Sequence, residues 1–395
     1  MTRLEQLICT LCPQGVEYKS LKELGCFFGG LSGKSKDDFT NGNAKFITYK
    51  NVYSNPALQI DIADKVKISA DEKQHTLQYG DVIFTGSSET PDECGFSSVV
   101  TIPTEEKLYL NSFCFFFRFS DSNIILPDFA KHLFRSSNLR RQIIRTASGV
   151  TRFNVSKKLM GDVIIPLPPL EVQQEIVRIL DQFTELTAEL TTELTARKKQ
   201  YMYYRDELLL GKHVHDFREY SLGELADIHT GSKPDEIFVE HSDFEYINAG
   251  TTHSGYAKTA NCPGDTVTTP SRGQGGIGFV GYQSHPFHLG PLCYSIRSKD
   301  KNIIINKFIY YWLISHTSDI LAFKKEGGTP AVNRADLIGL KIQVPQVSVQ
   351  KFIIEILDRF DTLCNDLTSG LPAEIEARQR QYEHYRDKLL TFKEL

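Results

Sequence analysis

Apolar residues follow a helical period over two long stretches of this chain. From Val172 to about Leu210 there is no proline or glycine, and apolar side chains return every three or four positions, which places them on one face of a helix. At about 1.5 Å per residue, such a helix extends about 55 to 60 Å. A similar stripe begins at Ile353 and ends at Leu389. We predict that the two stripes bury each other in an antiparallel coiled coil, with packing of each helix on its own domain as the alternative.

The interiors of the two helical stretches differ. In the first, Thr187-Ala188-Glu189-Leu190 is followed by Thr191-Thr192-Glu193-Leu194, and each such tetrapeptide adds about 6 Å to a helix. The number of tetrapeptides is therefore expected to set the separation of the domains that the helix joins. The second stretch contains Ser369-Gly370-Leu371-Pro372, which indicates a helix end and a restart with proline in the first turn. We expect two helices there.

Short β-type runs bounded by turn residues occupy most of the remaining chain, at 45–49, 81–84, 112–118, 245–247 and 265–268. One helix is expected to follow in each half, near 129–146 and 307–323. The predicted fold class is therefore α+β, with two tandem α/β modules separated by the long helices. The predicted segments are an N-terminal helix at 1–15, the first module at 16–168, a central spacer helix at 169–212, the second module at 213–345 and the C-terminal helices at 346–395.

The two halves of the chain repeat each other. The sequence Gln-Tyr-x-x-Tyr-Arg-Asp-x-Leu-Leu stands at 200–209 and again at 381–390; we call these segments the first and second tags. The N-terminal helix supplies a similar segment and completes the pseudo-symmetry. A period this long indicates a duplicated domain rather than a solenoid of short repeats. Pairs aligned at one constant offset are Gly149 with Gly328, Asn154 with Asn333 and Pro166 with Pro345.

The similarity of the copies is uneven. Gly80-Asp81 is matched by Gly264-Asp265, but the stretches just beyond, 85–90 and 270–276, differ completely. A shared scaffold with different loops is typical of two domains that recognise different ligands. Neutral drift of the loops after duplication is the alternative.

The composition and net charge of the chain limit the classes of function that it can have. The net charge is −4 and the sequence pI about 6.3, which excludes a uniformly basic nucleic-acid coat but not a local basic face. No apolar run reaches the roughly 18 residues of a membrane span, and residues 1–5 do not open a secretory signal, so a cytoplasmic protein is expected. The eight cysteines are scattered, and Cys9-x-x-Cys12 lacks a second pair, so no metal site is predicted.

Three motifs resemble catalytic or nucleotide-binding sites but lack the surrounding sequence that such sites require. Residues 28–35 end in Gly-Lys-Ser but begin with Phe28 where a phosphate loop has glycine. Residues 273–278 match GxGxxG, yet no helix pattern follows. Asp92, Glu105 and Lys107 could form a metal-dependent nuclease core, but their spacing is loose and the other half has no equivalent. We therefore predict that the chain is non-catalytic.

Taken together, the two modules, the two helical stretches, Pro168-Pro169-Leu170-x-x-Gln173, residues 370–375 and the paired tags closely resemble the specificity subunit of type I restriction-modification enzymes. The resemblance covers nearly the whole chain and includes the tetrapeptide spacer. It implies a subunit without catalytic activity whose two target-recognition domains bind the halves of a split, asymmetric double-stranded DNA site. It also implies two methyltransferase subunits and motor-nuclease restriction subunits as partners. S-adenosylmethionine, ATP and Mg²⁺ are then expected on those partners, with no cofactor on this chain.

Candidate site residues follow from residue type and from the divergence of the loops. For base contacts we predict Ser87, Ser88, Glu89, Ser271, Arg272 and Gln274. For phosphate contacts, which position the protein on DNA without reading the base sequence, we predict Lys34, Lys36, Arg152, Lys324 and Arg334. For partner docking we predict Tyr201, Tyr204, Arg205, Tyr382, Tyr385 and Arg386, because aromatic residues and arginine suit interfaces. The alternatives are a coiled-coil scaffold that binds only protein and a stand-alone nuclease.

Overall fold

A computed structural model describes residues 2–209, 217–273, 275–325, 330–366 and 368–395. The α-helices are α1 (Arg3–Leu11), α2 (Leu21–Leu24), α3 (Tyr49–Ser54), α4 (Pro127–Leu133), α5 (Ser137–Ile144), α6 (Lys157–Met160), α7 (Leu170–Leu209), α8 (Leu222–Leu225), α9 (Asn306–Ser315), α10 (Thr317–Ala322), α11 (Arg334–Ile338), α12 (Val347–Asn365) and α13 (Leu371–Leu389). The chain forms two compact units, Met1–Glu189 with Ile375–Leu395, and Leu190–Glu374.

The strands confirm the predicted α+β class. Those of the first unit are β1 (Glu17–Ser20), β2 (Gly25–Gly29), β3 (Ala44–Ile47), β4 (Lys65–Val66), β5 (Val82–Thr85), β6 (Ser87–Ser88), β7 (Ser97–Val99), β8 (Tyr109–Leu110), β9 (Cys114–Phe119), β10 (Ala147–Ser148), β11 (Phe153–Val155) and β12 (Ile164–Leu167). Those of the second unit are β13 (Phe217–Ser221), β14 (Ala226–Thr230), β15 (Phe244–Ile247), β16 (Tyr256–Ala257), β17 (Thr266–Pro270), β18 (Gly281–Gln283), β19 (His288–Leu289), β20 (Cys293–Ser298) and β21 (Lys341–Pro345).

Three sheets recur in the two units in the same strand order, and the first unit also has the sheet β10-β11-β6. The first has β2-β9-β5-β7, β4-β3-β8 and the pair β1-β12, and the second has β14-β20-β17-β18, β16-β15-β19 and β13-β21. The sheets β4-β3-β8 and β16-β15-β19 each contain one parallel pair, β3 with β8 and β15 with β19. The short helix after the first strand is capped alike in both, by Ser20 with Glu23 and by Ser221 with Glu224. The internal repeat is therefore a repeat of tertiary structure.

Two buried glutamines join the start of each long helix to its module by the same three hydrogen bonds. The amide nitrogen of Gln173 donates to the carbonyls of Pro168 and Ile124, and its oxygen accepts from the Leu126 N–H. The corresponding bonds of Gln350 go to Pro345, Ile303 and Ile305. Both side chains are fully buried. Each amide satisfies backbone groups that would otherwise be unpaired inside the protein.

These glutamines correct one sequence alignment. Pro168 and Pro345 are equivalent because they accept the same bond, so Pro166 does not correspond to Pro345. Likewise Ser156 and Asn333 stand immediately before α6 and α11, so Asn154 is not the equivalent of Asn333. The true offset in this part of the repeat is two residues shorter than the offset from Gly149 to Gly328. The pairings of Asn154 with Asn333 and of Pro166 with Pro345 are therefore coincidental, while Gly328 lies outside the described residues.

The predicted single helices near 129–146 and 307–323 are each two helices. Ser136 lies in the β region of backbone conformation, between α4 and α5, and its hydroxyl accepts from the N–H of Leu139. In the second unit His316 separates α9 from α10. Polar runs at 135–138 and 315–319 interrupt the apolar pattern at the two breaks, so the sequence carried a local signal for both.

The long helices lie in the two stretches where apolar periodicity predicted them. Helix α7 is continuous from Leu170 to Leu209, and the predicted interruption of the second stretch lies between α12 and α13. A side chain at Gly370 would collide with the carbonyl of Thr362, so the chain needs glycine at this turn. Among the described residues, none of the helices combines the length and apolar character needed to cross a membrane.

Within each unit a tag packs against a segment of the other long stretch. In the first unit, Tyr385 of the second tag stacks on Phe183 of α7, with ring centroids 5.4 Å apart. In the second unit, Tyr201 and Tyr204 of the first tag contact Phe360 of α12. These contacts confirm that the two amphipathic stretches bury apolar surface against each other.

Candidate nucleic-acid interface

A hollow of about 1000 Å³ opens on the first module beside its divergent loop. Ser87, Ser88, Glu89 and Arg152, all predicted as contact residues, line it together. Four segments that are distant in sequence line it: α3, the loop that follows β5, the turn before β9 that carries Phe113, and the hairpin of β10 and β11. The fold thus gathers into one surface residues that were selected from residue type and loop divergence alone.

Strand pairing positions these residues. Strand β6 pairs antiparallel with β11, so that Ser87 lies opposite Asn154. The Arg152 guanidinium donates to the Ser87 hydroxyl, at 3.2 Å from Nε and 3.1 Å from the terminal nitrogen. It also lies 5.4 Å from the ring centroid of Phe113. Ser87 is buried, so its hydroxyl orients Arg152, while Ser88 and Glu89 remain accessible at the wall.

One carboxylate in the hollow is held in its charged form. Glu93 accepts from the hydroxyls of Tyr53 at 2.7 Å, Thr90 at 2.9 Å and Ser88 at 3.2 Å. Hydrogen bonds from Tyr53, Thr90 and Ser88 lower the pKa of Glu93. An anionic group at this place repels phosphate and attracts hydrogen-bond donors such as the amino groups on base edges.

A smaller hollow of about 300 Å³ continues the first and shares Ser87 and Phe113 with it. Lys157 lines its far side, with Nζ 5.7 Å from the ring centroid of Phe115. We call the two hollows together the module-1 groove. Exposed cations stand along it at Lys50, Arg152 and Lys157. A row of cations beside an aromatic and polar floor has the composition of a nucleic-acid surface.

Lys157 was absent from the phosphate candidates. It is the first residue of α6, and Arg334, which was among them, is the first residue of α11. Both are exposed. The corrected alignment makes the two residues equivalent, so a signal for Lys157 was present in the sequence but was hidden by the two-residue error.

The remaining predicted cations of the first module do not line this groove. The Lys34 ammonium lies 2.5 Å from the Glu72 carboxylate and 2.6 Å from the Lys67 carbonyl, and its side chain is largely buried. Lys36 is exposed, at the start of a 3₁₀ turn. The structure therefore gives Lys34 a partner within the module, whereas Lys36 is accessible.

Two arginines from the basic cluster of the first half have structural roles. Arg135 donates to the carbonyls of Ser97, Val52 and Tyr53. Arg140 donates to the carbonyls of Gly95, Asp92 and Cys94. Burial lowers the pKa of each guanidinium to about 10. Arg135 fastens the connection between α4 and α5 to β7 and α3, and Arg140 fastens α5 to residues 92–95, so neither is part of a free basic face.

In the second module Arg272 takes the place of Ser87. Its backbone bridges to Ala331 as that of Ser87 pairs with Asn154, and its side chain is exposed. Ser271 is buried, and its N–H donates to the Leu292 carbonyl, so it belongs to the framework. Lys324 and Arg334 are exposed. Gln274 lies outside the described residues.

Most of the tag residues predicted for partner docking contact other residues of this protein. Tyr201 is buried, and the Tyr382 hydroxyl lies 2.9 Å from Nδ1 of His132. Burial raises the pKa of both phenols. Arg205 and Arg386 each donate to the next aspartate and lie near the tag tyrosine, with the guanidinium carbon 5.9 Å from the ring centroid of Tyr201 and 5.5 Å from that of Tyr382.

Part of the first tag remains accessible. Tyr204 is 43% exposed although it contacts Phe360, and Met202 and Tyr203 are 48% and 62% exposed. Tyr385 is partly buried on Phe183. The accessible aromatic surface of the first tag is thus centred on Tyr203 and Tyr204.

The residues of the nuclease hypothesis are not assembled as a metal centre. Within the ranges that the structure describes, no three histidine, cysteine, aspartate or glutamate side chains form a group that could hold a metal ion. The backbone carbonyl of Asp92 accepts from Arg140. Lys107 lines a separate hollow with Glu106 and Glu72.

Comparison with known proteins identifies the family. The family model for the type I restriction modification DNA specificity domain matches residues 13–197 and 215–377. The chain is 39% identical over 250 residues to the EcoR124I/EcoR124II specificity subunit of Escherichia coli, a match that covers 58% of this chain and 61% of that protein. It is 29% identical over 239 residues to a putative type I specificity subunit of Mycoplasma pneumoniae, covering 58% of this chain and 92% of that protein.

Solved structures have the same fold. One from a study of complex assembly and conformational transition of a type I system aligns with a TM-score of 0.64 at 18% identity, covering 96% of this chain and 98% of the other. The type I S subunit of M. genitalium aligns with a TM-score of 0.59 at 16% identity, covering 95% and 96%. The family match accounts for both modules and most of the long helices. The chain therefore belongs to the type I restriction modification DNA specificity family, whose members are specificity subunits rather than catalytic ones.

Proposed function

We propose that this chain binds an asymmetric, two-part DNA sequence and that each module recognises one half. The observation that carries the proposal is the contrast between framework and loops. The frameworks share strand order, buried glutamines and capping boxes. At the equivalent position of the loop, one module has Ser87 under Arg152 and the other has an exposed Arg272. Equal scaffolds with different contact groups suit two different half-sites.

The chemistry of the module-1 groove supports contact with duplex DNA. Lys50, Arg152 and Lys157 supply positive charge for phosphates. Ser88, Glu89 and the Glu93 carboxylate supply groups that distinguish donor and acceptor edges of bases. In this arrangement the cations at the rim position the DNA through its phosphates, and the hydrogen-bonding groups within the hollow distinguish its bases.

The proposal extends to partners. We propose that the chain works in the cytoplasm with two methyltransferase subunits and with motor-nuclease restriction subunits. S-adenosylmethionine, ATP and Mg²⁺ would bind to those subunits. Tyr203 and Tyr204 support a protein interface, because aromatic residues exposed on a helix suit association.

The test is to express the chain with its methyltransferase subunit in cells that lack other DNA methylation and to map every methylated adenine. The proposal predicts methylation at one two-part sequence with a fixed spacer, and none when the chain is omitted. Methylation that needs no specificity chain would contradict it. If the purified chain alone cleaved DNA in the presence of a divalent metal, the nuclease alternative would be correct instead.

A further inference from the structure

The tip of the β10–β11 hairpin carries an apolar side chain that has no structural role in the module. Val150 is 90% exposed and stands on the rim of the module-1 groove with Thr151 and Arg152. Single exposed apolar residues are common on proteins. The position of this one is unusual, because it projects beside Ser88, Glu89 and Phe113, at the surface where contact residues converge.

The hairpin holds this side chain in a defined place. Ala147 pairs with Val155 and Ser148 with Asn154, and β11 pairs in turn with β6. Gly149 has a φ of 150°, and a side chain there would collide with the Arg152 carbonyl. The bonds from Arg152 to Ser87 tie the other end of the tip to the wall of the hollow. The hairpin is therefore a short two-stranded ribbon, and its tip, residues 149–152, is held at both ends.

A two-stranded ribbon fits the major groove of B-form DNA. A valine side chain cannot donate or accept a hydrogen bond, so it can gain free energy there only by apolar contact. The apolar group that base edges present in the major groove is the 5-methyl group of thymine. The chemistry of Val150 thus selects one base among four.

Resting on the proposed function, we propose that the β10–β11 hairpin enters the major groove of one half-site and that Val150 recognises the methyl group of a thymine there. Arg152 and Lys157 flank the hairpin tip and the adjoining hollow as cations for the phosphates beside it. Val150 is then a specificity-determining residue of the first module, distinct from Ser87, which orients Arg152.

The experiment uses the full chain in complex with its methyltransferase subunits and duplexes that carry the methylated sequence mapped for the wild type. Each thymine in the two half-sites is replaced in turn by uracil, which lacks the methyl group, and binding is measured by fluorescence anisotropy. For the wild type we expect one position at which uracil weakens binding about fourfold, the value of one buried methyl-sized group. For Val150→Ala we expect that position to lose its sensitivity.

Val239→Ala is the matched control, because Val239 is 93% exposed in the second unit and lies in none of the strands. It should retain the wild-type response at the position that Val150→Ala loses. The inference is overturned if no thymine responds differently in the two proteins, or if Val150→Ala weakens binding equally on every duplex, as a contact to a protein partner would. If the wild type methylates no two-part sequence, the proposed function itself fails, which is a distinguishable result.

Discussion

His132 and Asp181 join the first module to the long helix α7, with Nε2 of the imidazole 2.8 Å from Oδ1 of the carboxylate. Lys131 also donates to Asp181. Because an ionised carboxylate only accepts, Nε2 carries the proton and Nδ1 accepts from the Tyr382 hydroxyl. In the second unit the phenol of Tyr311 donates to Asp358 at the equivalent place. The two junctions are therefore alike in geometry but differ in their response to acid.

We predict that acid weakens the first junction. Burial lowers the pKa of His132 despite the hydrogen bond with Asp181. Burial opposes ionisation of Asp181, but the hydrogen bonds from His132 and Lys131 outweigh it and lower the pKa of that carboxyl. In the unfolded chain the imidazole titrates near its ordinary value of about 6.5. As the pH falls below that value, the unfolded state takes up the proton first, so the free energy of unfolding decreases.

Urea denaturation between pH 8 and pH 5 measures this effect. The loss of stability should be smaller in His132→Gln than in the wild type, because the variant has no imidazole at the junction. His384→Gln, which alters an exposed histidine of the same unit, is the control and should retain the wild-type slope. Parallel curves for His132→Gln and the wild type would show that this junction does not sense pH.

Replacing Gln173 should destabilise the first unit. Gln173→Met preserves the approximate volume but leaves the Leu126 N–H and two carbonyls without partners in the interior. Each unsatisfied buried group costs about 1–3 kcal/mol. The neighbouring Gln174 is exposed, so Gln174→Met should change stability by less than about 0.5 kcal/mol. Equal stabilities of the two variants in a denaturation experiment would refute the structural role of Gln173.

Arg272 and Arg334 should respond differently to substitution by alanine. Arg272 stands at the loop position of the second module, so Arg272→Ala should relax specificity at one position of one half-site and cost about 1–3 kcal/mol on the preferred sequence. Arg334→Ala should weaken binding on all sequences and reduce the salt dependence of binding by about one phosphate contact. Binding measured on a set of single-base variants at several salt concentrations distinguishes them. A uniform loss for Arg272→Ala would contradict its role in base contact.

Deleting Thr191 to Leu194 should shorten the spacer between the half-sites. The deletion removes about 6 Å of helix α7, which compares with about 3.4 Å of rise per base pair. We expect both half-sites to be retained and the spacer to become one or two base pairs shorter in a methylation map. The matched variant duplicates Thr191 to Leu194 and should lengthen the spacer by the same amount. An unchanged spacer in both variants would refute the role of the helix as a ruler.

Periodicity made the long helices predictable. The apolar stripe of α7 continues without proline or glycine, and the break in the second stretch has a local signature in Gly370 and Pro372. The register of the repeat was not predictable in the same way. Asn154 and Asn333 look equivalent in the sequence. However, Asn154 of β11 pairs with Ser87 of β6, whereas Asn333 is the residue immediately before α11. The hydrogen bonds of Gln173 and Gln350 and the helix starts after Ser156 and Asn333 reveal which positions correspond.

The candidate site was predictable in outline. Loop divergence selected Ser88, Glu89 and Arg272 as candidates, and Ser88 and Glu89 line one hollow because neighbouring residues of one loop remain neighbours in space. The hairpin that carries Val150 and the floor residue Phe113 belong to other segments, and strand pairing alone brings them together. Positive charge did not indicate a DNA-contact surface where the cationic side chains stabilise the fold instead. Arg135 reaches carbonyls 82 and 83 positions away, a contact that no local pattern could indicate.

The most direct test of the central claim replaces residues 25–155 by the equivalent residues 226–332, so that both modules come from the second half of the chain. The junctions are equivalent, because β2 and β14 begin after matching helices and both Val155 and Val332 donate to the loop carbonyl that precedes Ser87 or Arg272. Methylated adenines are then mapped in cells that express this variant with the methyltransferase subunit. If each module recognises one half-site, the methylated sequence will contain two copies of the half-site that belongs to the second module. If the original asymmetric sequence persists, the claim is contradicted.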